Sequence, residues 1–359
     1  MSPLQKDNNM ANSINPTYSL PNILLNRPLD IIALGSFVLE RVIKLSDWPK
    51  AGGQDNITIQ SITDTFGGCA TSVACFAARF GLKTSIISMI GDDEPCVAAL
   101  NELHDTGVDT NHMSHYTGEQ GSLIRILADP KGEWTSLSMV NPNLQFRMED
   151  LPSVSYFETA KVLHIDGYAC LSVLGKQEIV LEAISRATKA DCVITVDACV
   201  PAAKEAAGLL KKIFCSANIA FANLSEARTL TGADTIDDII NSYRKINLDL
   251  GIIKNGMNGS YITNDTLSLH IPAYNVEMID SVAAGDAYVA GMLTSLCKGL
   301  PLIESTKYAS ASGALACQGP GSLNKHFSFM DLTDLISSSK ITNAKINRCA
   351  TNNPNYAKT

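Results

Sequence analysis

The segment ATSVACFAARFGLKTSIISMI, residues 70–90, decides the fold class of this chain. Its first half is rich in alanine and carries apolar residues at helical spacing, and Gly81 follows as a helix stop. Its second half, residues 83–90, is a β-branched run that predicts a buried strand. A similar run, DIIALG at residues 30–35, precedes the helix. Together these segments predict a strand, a crossover helix and a second, parallel strand.

The same alternation continues along the rest of the chain. Short apolar runs predict further strands, and longer patterns with helical spacing predict the helices between them. The strands are predicted at residues 162–165, 193–196, 219–222 and 251–254, and the helices at residues 176–190, 202–213 and 236–244. Such alternation favours an α/β fold, in which helices cover both faces of a central, mostly parallel sheet.

Two segments show a strand period outside this alternation. Residues 54–62 alternate between polar and apolar positions, and so do residues 122–139, around a DPKG turn at residues 129–132. We expect antiparallel insertions near residues 38–62 and 120–140 that form a small β lid. The lid would cover the carboxyl ends of the parallel strands, where open α/β sheets bind ligands.

The overall charge of −8, without a long basic run, argues against nucleic acid as a partner. Neutralising phosphates along a strand needs clustered positive charge. No run reaches the apolar length of a membrane span, so we expect no membrane partner. The ten cysteines form no C-x-x-C pair and mostly lie in apolar runs, which is typical of reduced cysteines in a cytoplasmic protein.

Both ends of the chain are polar and lack an apolar period. We therefore expect poorly ordered segments at residues 1–28 and 339–359, and one folded domain between them at residues 29–338. The first 26 residues also lack the basic start and apolar stretch of a signal peptide. This pattern again predicts a cytoplasmic location.

The segment DSVAAGDAYVAGM, residues 280–292, carries the strongest chemical signal. Small residues lead into an apolar helical run, so the free backbone amides of the first helical turn form an anion site. Such a site suits the γ-phosphate of a nucleotide. Asp286 would lie beside that phosphate and accept a proton from an attacking hydroxyl group. The residues alone also allow a small-residue helix start on which Asp286 only interacts with the helix dipole.

Three further motifs combine glycine or a capping residue with a helix or a turn. GGCATSVA at residues 67–74 lets the backbone approach a ligand before a helix begins. NLSE at residues 223–226 ends a strand and starts a helix, so it suits either a capping box or a magnesium site. KNGMNG at residues 254–259 is a glycine turn after a buried strand.

In this order the motifs resemble the signatures of the ribokinase-like (PfkB) carbohydrate kinase family. The family carries D-T-x-G-A-G-D, G-G-x-x-x-N-x-A, N-x-x-E, T-x-G-x-x-G and, on the first strand, G-x-x-x-x-D. The matches run in family order from about residue 30 to residue 322. The resemblance implies a three-layer α/β/α sandwich with a β lid.

The resemblance also assigns roles to residues. It implies that Asp286 is the catalytic base, that the anion hole comprises the three residues before it, that Glu226 holds Mg²⁺ through water, and that two further groups bind substrate and nucleotide. The anion-hole residues are Ala283, Ala284 and Gly285; the substrate group is Ser36, Val38, Glu40, Gly67, Gly68 and Ser72; the nucleotide group is Asn223, Glu226, Lys254, Gly256 and Gly259.

The implied activity is transfer of the γ-phosphate of ATP to a hydroxymethyl group of a sugar or ketose-like small molecule. The implied cofactors are ATP, Mg²⁺ and optionally a monovalent cation such as K⁺, and a homodimer is a further expectation. Several positions depart from the family pattern: Ala283 stands for Gly, Ser72 for Asn, Glu40 for Asp and Lys254 for Thr. Two alternatives therefore stay open, a nucleoside kinase of the same fold and a catalytically degenerate protein that binds a metabolite.

Overall fold

The computed structural model describes residues 18–50, 52, 56–130, 134–246, 248–265, 267–339 and 345–348. The strands are β1 (Leu29–Leu34), β2 (Val38–Leu45), β3 (Ile59–Gly67), β4 (Thr84–Gly91), β5 (Val108–Tyr116), β6 (Leu123–Ala128), β7 (Trp134–Met139), β8 (Ala160–Asp166), β9 (Val193–Asp197), β10 (Ile219–Asn223), β11 (Leu250–Lys254), β12 (Ser260–Thr263), β13 (Leu267–Ile271) and β14 (Lys345–Arg348). The helices are α1 (Cys69–Arg79), α2 (Glu94–Asp105), α3 (Val154–Phe157), α4 (Gln177–Lys189), α5 (Val200–Glu205), α6 (Ala207–Ser216), α7 (Leu224–Thr231), α8 (Ile236–Tyr243), α9 (Ala284–Cys297), α10 (Leu302–Ala316) and α11 (Phe329–Ser338).

The main sheet has the order β14-β13-β12-β11-β10-β9-β8-β1-β4-β5. The seven strands from β11 to β5 are parallel, and β12, β13 and β14 add antiparallel at one edge. The predicted α/β fold with a mostly parallel central sheet is confirmed. After β1 the chain adds β4 and β5 on one side, and from β8 onward it adds strands on the other side, so the order reverses between β1 and β8. That switch point opens a crevice at the carboxyl ends of the strands.

Both faces of the sheet are buried, as the continuous apolar runs predict. On β1, Ile31 and Ala33 pack into one core cluster, together with residues of α1, α9 and α10. The alternate residues Ile32 and Leu34 pack into a second cluster, together with residues of α4, α6 and α8. The sheet is thus the middle of three layers.

The predicted lid segments form a second sheet of order β3-β2-β6-β7. Each segment contributes an antiparallel pair, but the central pair, β2 with β6, is parallel. Part of the predicted turn between β6 and β7, Lys131 and Gly132, lies outside the described residues, and so do Gln54 and Asp55. The first insertion carries two strands, since β2 is a strand of its own that the alternation at residues 54–62 did not reveal.

The expected poorly ordered segment at residues 1–28 does not extend to residue 28. Leu20 and Leu24 are buried in the core cluster that contains α1. Arg27 then donates hydrogen bonds to the main-chain oxygens of Ala160 and Ala190, at 2.7 and 2.6 Å. These few apolar residues pack against the folded domain. They are too few to form a periodic pattern, so an analysis of periodicity over longer windows does not detect them. Residues 1–17 lie outside the described residues.

At the other end, β14 departs from the expectation of a poorly ordered tail at residues 339–359. Residues 345–348 pair with β13 as an antiparallel edge strand. An edge strand offers unpaired backbone groups, so a segment with little apolar pattern can add to it. One local expectation also changes, because the helix predicted at residues 202–213 is two helices that meet at Ala206.

The described part of the chain contains no helix that is both long and apolar enough to span a membrane. Its nine described cysteines are free thiols, and six of them are buried.

The helices α9 and α10 are in close contact at Gly291. A Cβ atom added to Gly291 would lie 2.8 Å from the Ser312 Cβ and 2.9 Å from the Tyr308 main-chain oxygen. Gly208, near the start of α6, has open space at the corresponding position and an ordinary backbone conformation. The two glycines therefore separate the effect of crowding from the effect of backbone entropy.

We expect Gly291→Ala to lower the free energy of unfolding by about 1–3 kcal/mol, because the added methyl group overpacks the α9–α10 contact. Gly208→Ala is the matched control and should raise the free energy of unfolding by about 0.5–1 kcal/mol. Urea unfolding of both variants measures this difference. Equal effects of the two substitutions would contradict the close helix contact.

Candidate active site

A cavity of about 530 Å³ opens at the carboxyl ends of the parallel strands, between the main sheet and the lid. Many of the predicted site residues line it, although they come from distant parts of the sequence. They are Ser36, Val38, Glu40, Gly68, Ser72, Asn223, Ala283, Gly285 and Asp286. The lid contributes residues of β2, β6 and β7 to the same cavity. The sheet and lid thus bring the predicted substrate and anion-hole residues together.

Helix α9 begins at the floor of this cavity. Its N-cap residue, Ala283, has the left-handed conformation (φ 56°, ψ 9°). An L-residue with a side chain pays about 1–2 kcal/mol for this conformation, so the surrounding contacts must hold it. Asp280 supplies two of them, because its carboxylate accepts hydrogen bonds from the amides of Val282 and Gly321, each at 2.8 Å. Asp280 thus holds the segment that leads into α9, whose Ala284 amide donates to the Ser281 main-chain oxygen at 3.2 Å.

Asp286 lies in the first turn of α9 and is partly exposed to the cavity. Burial, and after it the nearby carboxylate of Asp197, raise the pKa of Asp286 to about 8, although Lys254 opposes the shift. A carboxyl group with a pKa near neutrality is suited to accept and release a proton.

Lys254, at the end of β11, forms a buried ion pair with Asp197, at the end of β9. The distance from Lys254 Nζ to Asp197 Oδ2 is 2.5 Å. Burial alone would lower the pKa of Lys254, but Asp197 and Glu226 hold it above its ordinary value. A Cβ atom built on Gly285 would lie 3.2 Å from Lys254 Nζ. A permanently charged ammonium therefore lies beside the first turn of α9.

Asn223 and Glu226 form a capping box at the start of α7. Glu226 N donates to Asn223 Oδ1 at 2.9 Å, and Asn223 N donates to Glu226 Oε2 at 2.7 Å. Of the two interpretations of the NLSE motif, the structure therefore shows the capping box. Burial and the neighbouring Asp197 also raise the pKa of Glu226 to about 7. Asn223 lines the cavity as well.

A buried carboxylate that the sequence analysis did not select, Asp166 at the end of β8, organises the opposite wall. Asp166 Oδ2 accepts hydrogen bonds from the Ser36 amide (3.0 Å), the Ser36 hydroxyl (2.6 Å) and the Ala70 amide (3.3 Å). Its Oδ1 accepts from the Tyr168 amide at 2.7 Å. Ser36 thus lines the cavity while its hydroxyl group binds Asp166.

Glu40 and Ser72 present polar atoms that no described group satisfies. Glu40 Oε1 accepts a hydrogen bond from the Ser322 hydroxyl at 2.8 Å, whereas Glu40 Oε2 is buried without a partner. The hydroxyl oxygen of Ser72 is also buried without a partner. Burial raises the pKa of Glu40, and the hydrogen bond from Ser322 opposes this shift. Both side chains line the cavity and are available to a ligand.

The glycines of the predicted motifs divide into two groups. A Cβ atom on Gly68 would lie 2.3 Å from the Ser36 main-chain oxygen, and one on Gly67 would lie 2.2 Å from Glu40 Oε1, so both allow close packing beside the cavity. Gly256 and Gly259 form the turn between β11 and β12 and do not line the cavity. Ala284, Glu226 and Lys254 also lie outside its lining, behind the residues that face it.

The sequence analysis missed Asp166 and Asp197, and a signal for both was present. Each directly follows a predicted buried strand, HID at residues 164–166 and TVD at residues 195–197. Polar residues at the carboxyl ends of parallel strands converge on the ligand site of an open sheet. The hydrogen bond from Ser322 to Glu40 joins residues far apart in the chain, so no local pattern indicates it.

Comparison with known proteins shows the family to which the chain with this cavity belongs. The family model described as "pfkB family carbohydrate kinase" matches residues 29–326, which is most of the chain. The chain belongs to the pfkB family of carbohydrate kinases. This assignment confirms the family predicted from the motifs.

This carbohydrate kinase is 26% identical to fructokinase-1 of Zea mays over 276 residues, covering 72% of this chain and 84% of the maize protein. It is 25% identical to aminoimidazole riboside kinase of Salmonella typhimurium, covering 72% of this chain and 83% of that protein. Its fold matches a putative ribokinase II from E. coli, solved with ATP and Mg²⁺, at a TM-score of 0.75 and 19% identity, covering 86% of this chain and 99% of that one. The ribokinase-like fold and the predicted activity of an ATP-dependent carbohydrate kinase are confirmed.

Proposed function

We propose that this kinase transfers the γ-phosphate of ATP to a hydroxymethyl group of a sugar or ketose-like small molecule, with Asp286 as the general base. The observation that carries the proposal is the position of Asp286. Its carboxyl group faces the cavity from the first turn of α9, beside amides that have no helical partner. The base and the phosphate site are therefore within one helical turn of each other.

In the proposed reaction, the acceptor oxygen attacks the γ-phosphorus while its proton passes to a carboxylate oxygen of Asp286. A new phosphorus–oxygen bond forms to the acceptor, and the bond from the γ-phosphorus to the bridging oxygen breaks. The electron pair of the broken bond leaves on ADP. The products are ADP and the phosphorylated acceptor, and Asp286 then releases its proton to solvent.

Two groups of this chain stabilise the charge on the transferring phosphoryl group. The first group is the set of amides at the start of α9, which follow the left-handed Ala283 and have no acceptor within the helix. The ammonium of Lys254, fixed by Asp197, lies beside Gly285 of the same turn. Fixed dipoles and charges of this kind need no reorganisation during the reaction. Ser72 and Glu40 bind hydroxyl groups of the acceptor, and the lid excludes water.

The residues near Lys254 fit a hydrated Mg²⁺ that arrives with the nucleotide. Mg²⁺ keeps several waters and takes one or two protein carboxylates together with phosphate oxygens. Glu226 and the nearby Asp197, whose Oδ1 is buried without a hydrogen-bond partner, provide such carboxylates. Among the described residues, no group of three or more His, Cys, Asp and Glu side chains is arranged to hold a metal ion. When bound, Mg²⁺ would neutralise phosphate charge, and Glu226 would hold it through water.

We expect Asp286→Asn to lower kcat by about 10²–10⁴-fold, because the amide cannot accept the acceptor proton. The variant should still bind ATP, since the amides of α9 and Lys254 remain. Initial rates with a sugar panel, together with ATP titration by calorimetry, measure both effects. Asp334→Asn removes an exposed carboxylate from α11 and serves as the control. A wild-type rate for the Asp286 variant would refute the assigned base.

A second expectation concerns pH. Since the pKa of Asp286 is about 8, most of the free enzyme carries a protonated, inactive Asp286 at pH 7. The value of kcat/KM for ATP should therefore rise about tenfold between pH 7 and pH 9. Lys254 lowers the pKa of Asp286, so Lys254→Met should move this rise to higher pH. A profile that is flat above pH 6, or a shift to lower pH in the variant, would contradict the proposal.

A further inference from the structure

The acceptor end of the cavity, which we define as the part between Glu40, Ser72 and the lid, combines few polar atoms with a large apolar wall. Glu40 Oε2 and the Ser72 hydroxyl are its buried, unpartnered polar atoms. The apolar wall includes Phe37, Met89, Ile124, Leu144, Leu171 and Val173. Buried polar atoms without partners are costly, so an acceptor that places hydroxyl groups on them gains both affinity and orientation.

The charged side chains that line the cavity are all carboxylates. Among the described residues, those that line it include no Lys, Arg or His, while Glu40 and Asp286 are carboxylates. The lid arginines Arg41 and Arg125 line a different cavity, on the opposite face of the lid sheet. This follows from the strand pleat, which alternates side chains between the two faces. Arg41 is also paired with Asp64 there, at 2.5 Å.

The cavity disfavours negative charge even on its own residues. Burial raises the pKa of Glu40 and of Asp286. An acceptor that carries a carboxylate or a phosphate group would bring another anion into this environment. Buried anions are retained when a cation pairs with them, and Arg and Lys usually supply that pairing. Lys254 cannot do so here, because it is bound to Asp197 and lies at the phosphate-transfer end. The ammonium of Lys325 does not line the cavity either, because it is bound to the main-chain oxygen of Val282.

We propose that the acceptor of this kinase is an uncharged hydroxyl compound with an apolar portion, such as a neutral sugar or riboside, and that sugar acids and sugar phosphates are rejected. The inference rests on the proposed phosphoryl transfer, and it names the substrate class of that same site. Glu40 and Ser72 bind the hydroxyl groups, and the apolar wall covers the rest of the acceptor.

The test uses pairs of acceptors that differ by one charged group and keep a free primary hydroxyl group. The pairs are fructose with fructose 1-phosphate, ribose with ribose 1-phosphate, and inosine with inosine 3′-monophosphate. We expect kcat/KM for the neutral member to exceed that of the anionic member by about 100-fold or more. We also expect a lower KM for inosine than for ribose, because the base adds surface for the apolar wall.

Two lid variants test the physical cause. Ser138→Lys places a cation in the cavity lining and should raise kcat/KM for the anionic acceptors by about tenfold. Leu137→Lys adds the same charge on the adjacent residue, which points to the opposite face of β7 and is 55% exposed, so it should not change the preference. Equal use of neutral and anionic acceptors by the wild type would overturn the inference while leaving the kinase activity intact. Undiminished transfer by Asp286→Asn would instead refute the proposed function.

Another group with no assigned role is the buried ammonium of Lys325. The Lys325 side chain is 4% exposed, and its ammonium donates a hydrogen bond to the main-chain oxygen of Val282. Val282 directly precedes the left-handed Ala283. The Val282 amide donates to Asp280, so both peptide groups of Val282 are held by charged side chains.

Contacts on both the main chain and the side chain fix the position of Lys325. Its main-chain oxygen accepts a hydrogen bond from Arg79 Nη1 at 2.9 Å, and its Cγ would lie 3.0 Å from a Cβ atom on Gly319. The described residues provide no carboxylate within ion-pair distance of its ammonium. Burial lowers the pKa of Lys325, whereas the surrounding carboxylates Asp280, Glu40 and Asp286 raise it. An ammonium in this environment binds a carbonyl oxygen of a strained loop and offsets the charge of three carboxylates.

We infer that Lys325 is a positioning residue, an internal cation that holds the anion-hole loop in its active geometry. The ammonium binds the main-chain oxygen of Val282, an oxygen ligand of the kind that a monovalent ion also takes. With the ammonium in place, this loop carbonyl needs no exchangeable K⁺. The monovalent cation left open by the sequence is then supplied by the chain itself.

Removal and replacement of the cation test this role. We expect Lys325→Ala to lower kcat by about 10–100-fold with little change in KM for the acceptor, and about 100 mM ammonium chloride to restore part of the loss. The wild type should have the same kcat in sodium, potassium and ammonium chloride. Lys325→Met keeps the length of the side chain without its charge and should be as slow as Lys325→Ala, whereas Lys325→Arg should retain more activity. Lys211→Met, on an exposed face of α6, is the control.

The results separate positioning from simple packing. If wild-type kcat rises several-fold on adding K⁺, or if Lys325→Met keeps the wild-type kcat, the inference is wrong. It is also wrong if the variants lose kcat only as far as they lose thermal stability, and ammonium does not restore it.

Discussion

The buried carboxylate of Asp166 is the constraint on which the geometry of the site depends. It accepts hydrogen bonds from Ser36 after β1, Ala70 in α1 and Tyr168 after β8. One side chain thus joins the two strands at the switch point of the sheet to the helix that begins beside the cavity. Hydrogen bonds to a charged group contribute about 1.5–3 kcal/mol each, so this cluster holds its geometry firmly.

Electrostatic coupling links the rest of the site. Asp197, Glu226 and Asp286 lie near one another and near the ammonium of Lys254. Burial and the neighbouring Asp197 outweigh the effect of this cation, so the pKa of Glu226 is raised to about 7 and that of Asp286 to about 8. A nucleotide with its metal ion would enter an environment in which the carboxyl groups of Glu226 and Asp286 gain or lose a proton near neutral pH. The described residues that line the acceptor end include no cationic side chain, and the two ends of the cavity therefore select for different charge.

The family signatures and the alternating runs predicted most of the fold and a large share of the site. The sequence placed Asp286 at the start of a helix, and the structure has it in the first turn of α9, where it lines the cavity; its role as the base stays a prediction. At residue 283, where the family usually has glycine, the structure adopts the left-handed conformation with alanine. The lid was recognised from its strand period, but its parallel β2–β6 pair was not, because that pairing joins segments about 80 residues apart.

By itself, the sequence determined the layered α/β fold, the family and the order of its motifs, since local periodicity and short spacings encode them. Only the tertiary structure decided which polar atoms are already satisfied and which remain for a ligand. Ser36 binds Asp166 and Glu226 closes a capping box, whereas Glu40 Oε2 and the Ser72 hydroxyl stay unpartnered. Hydrogen-bond partners, burial and the resulting pKa shifts depend on contacts between residues far apart in the chain, and no local pattern contains that information.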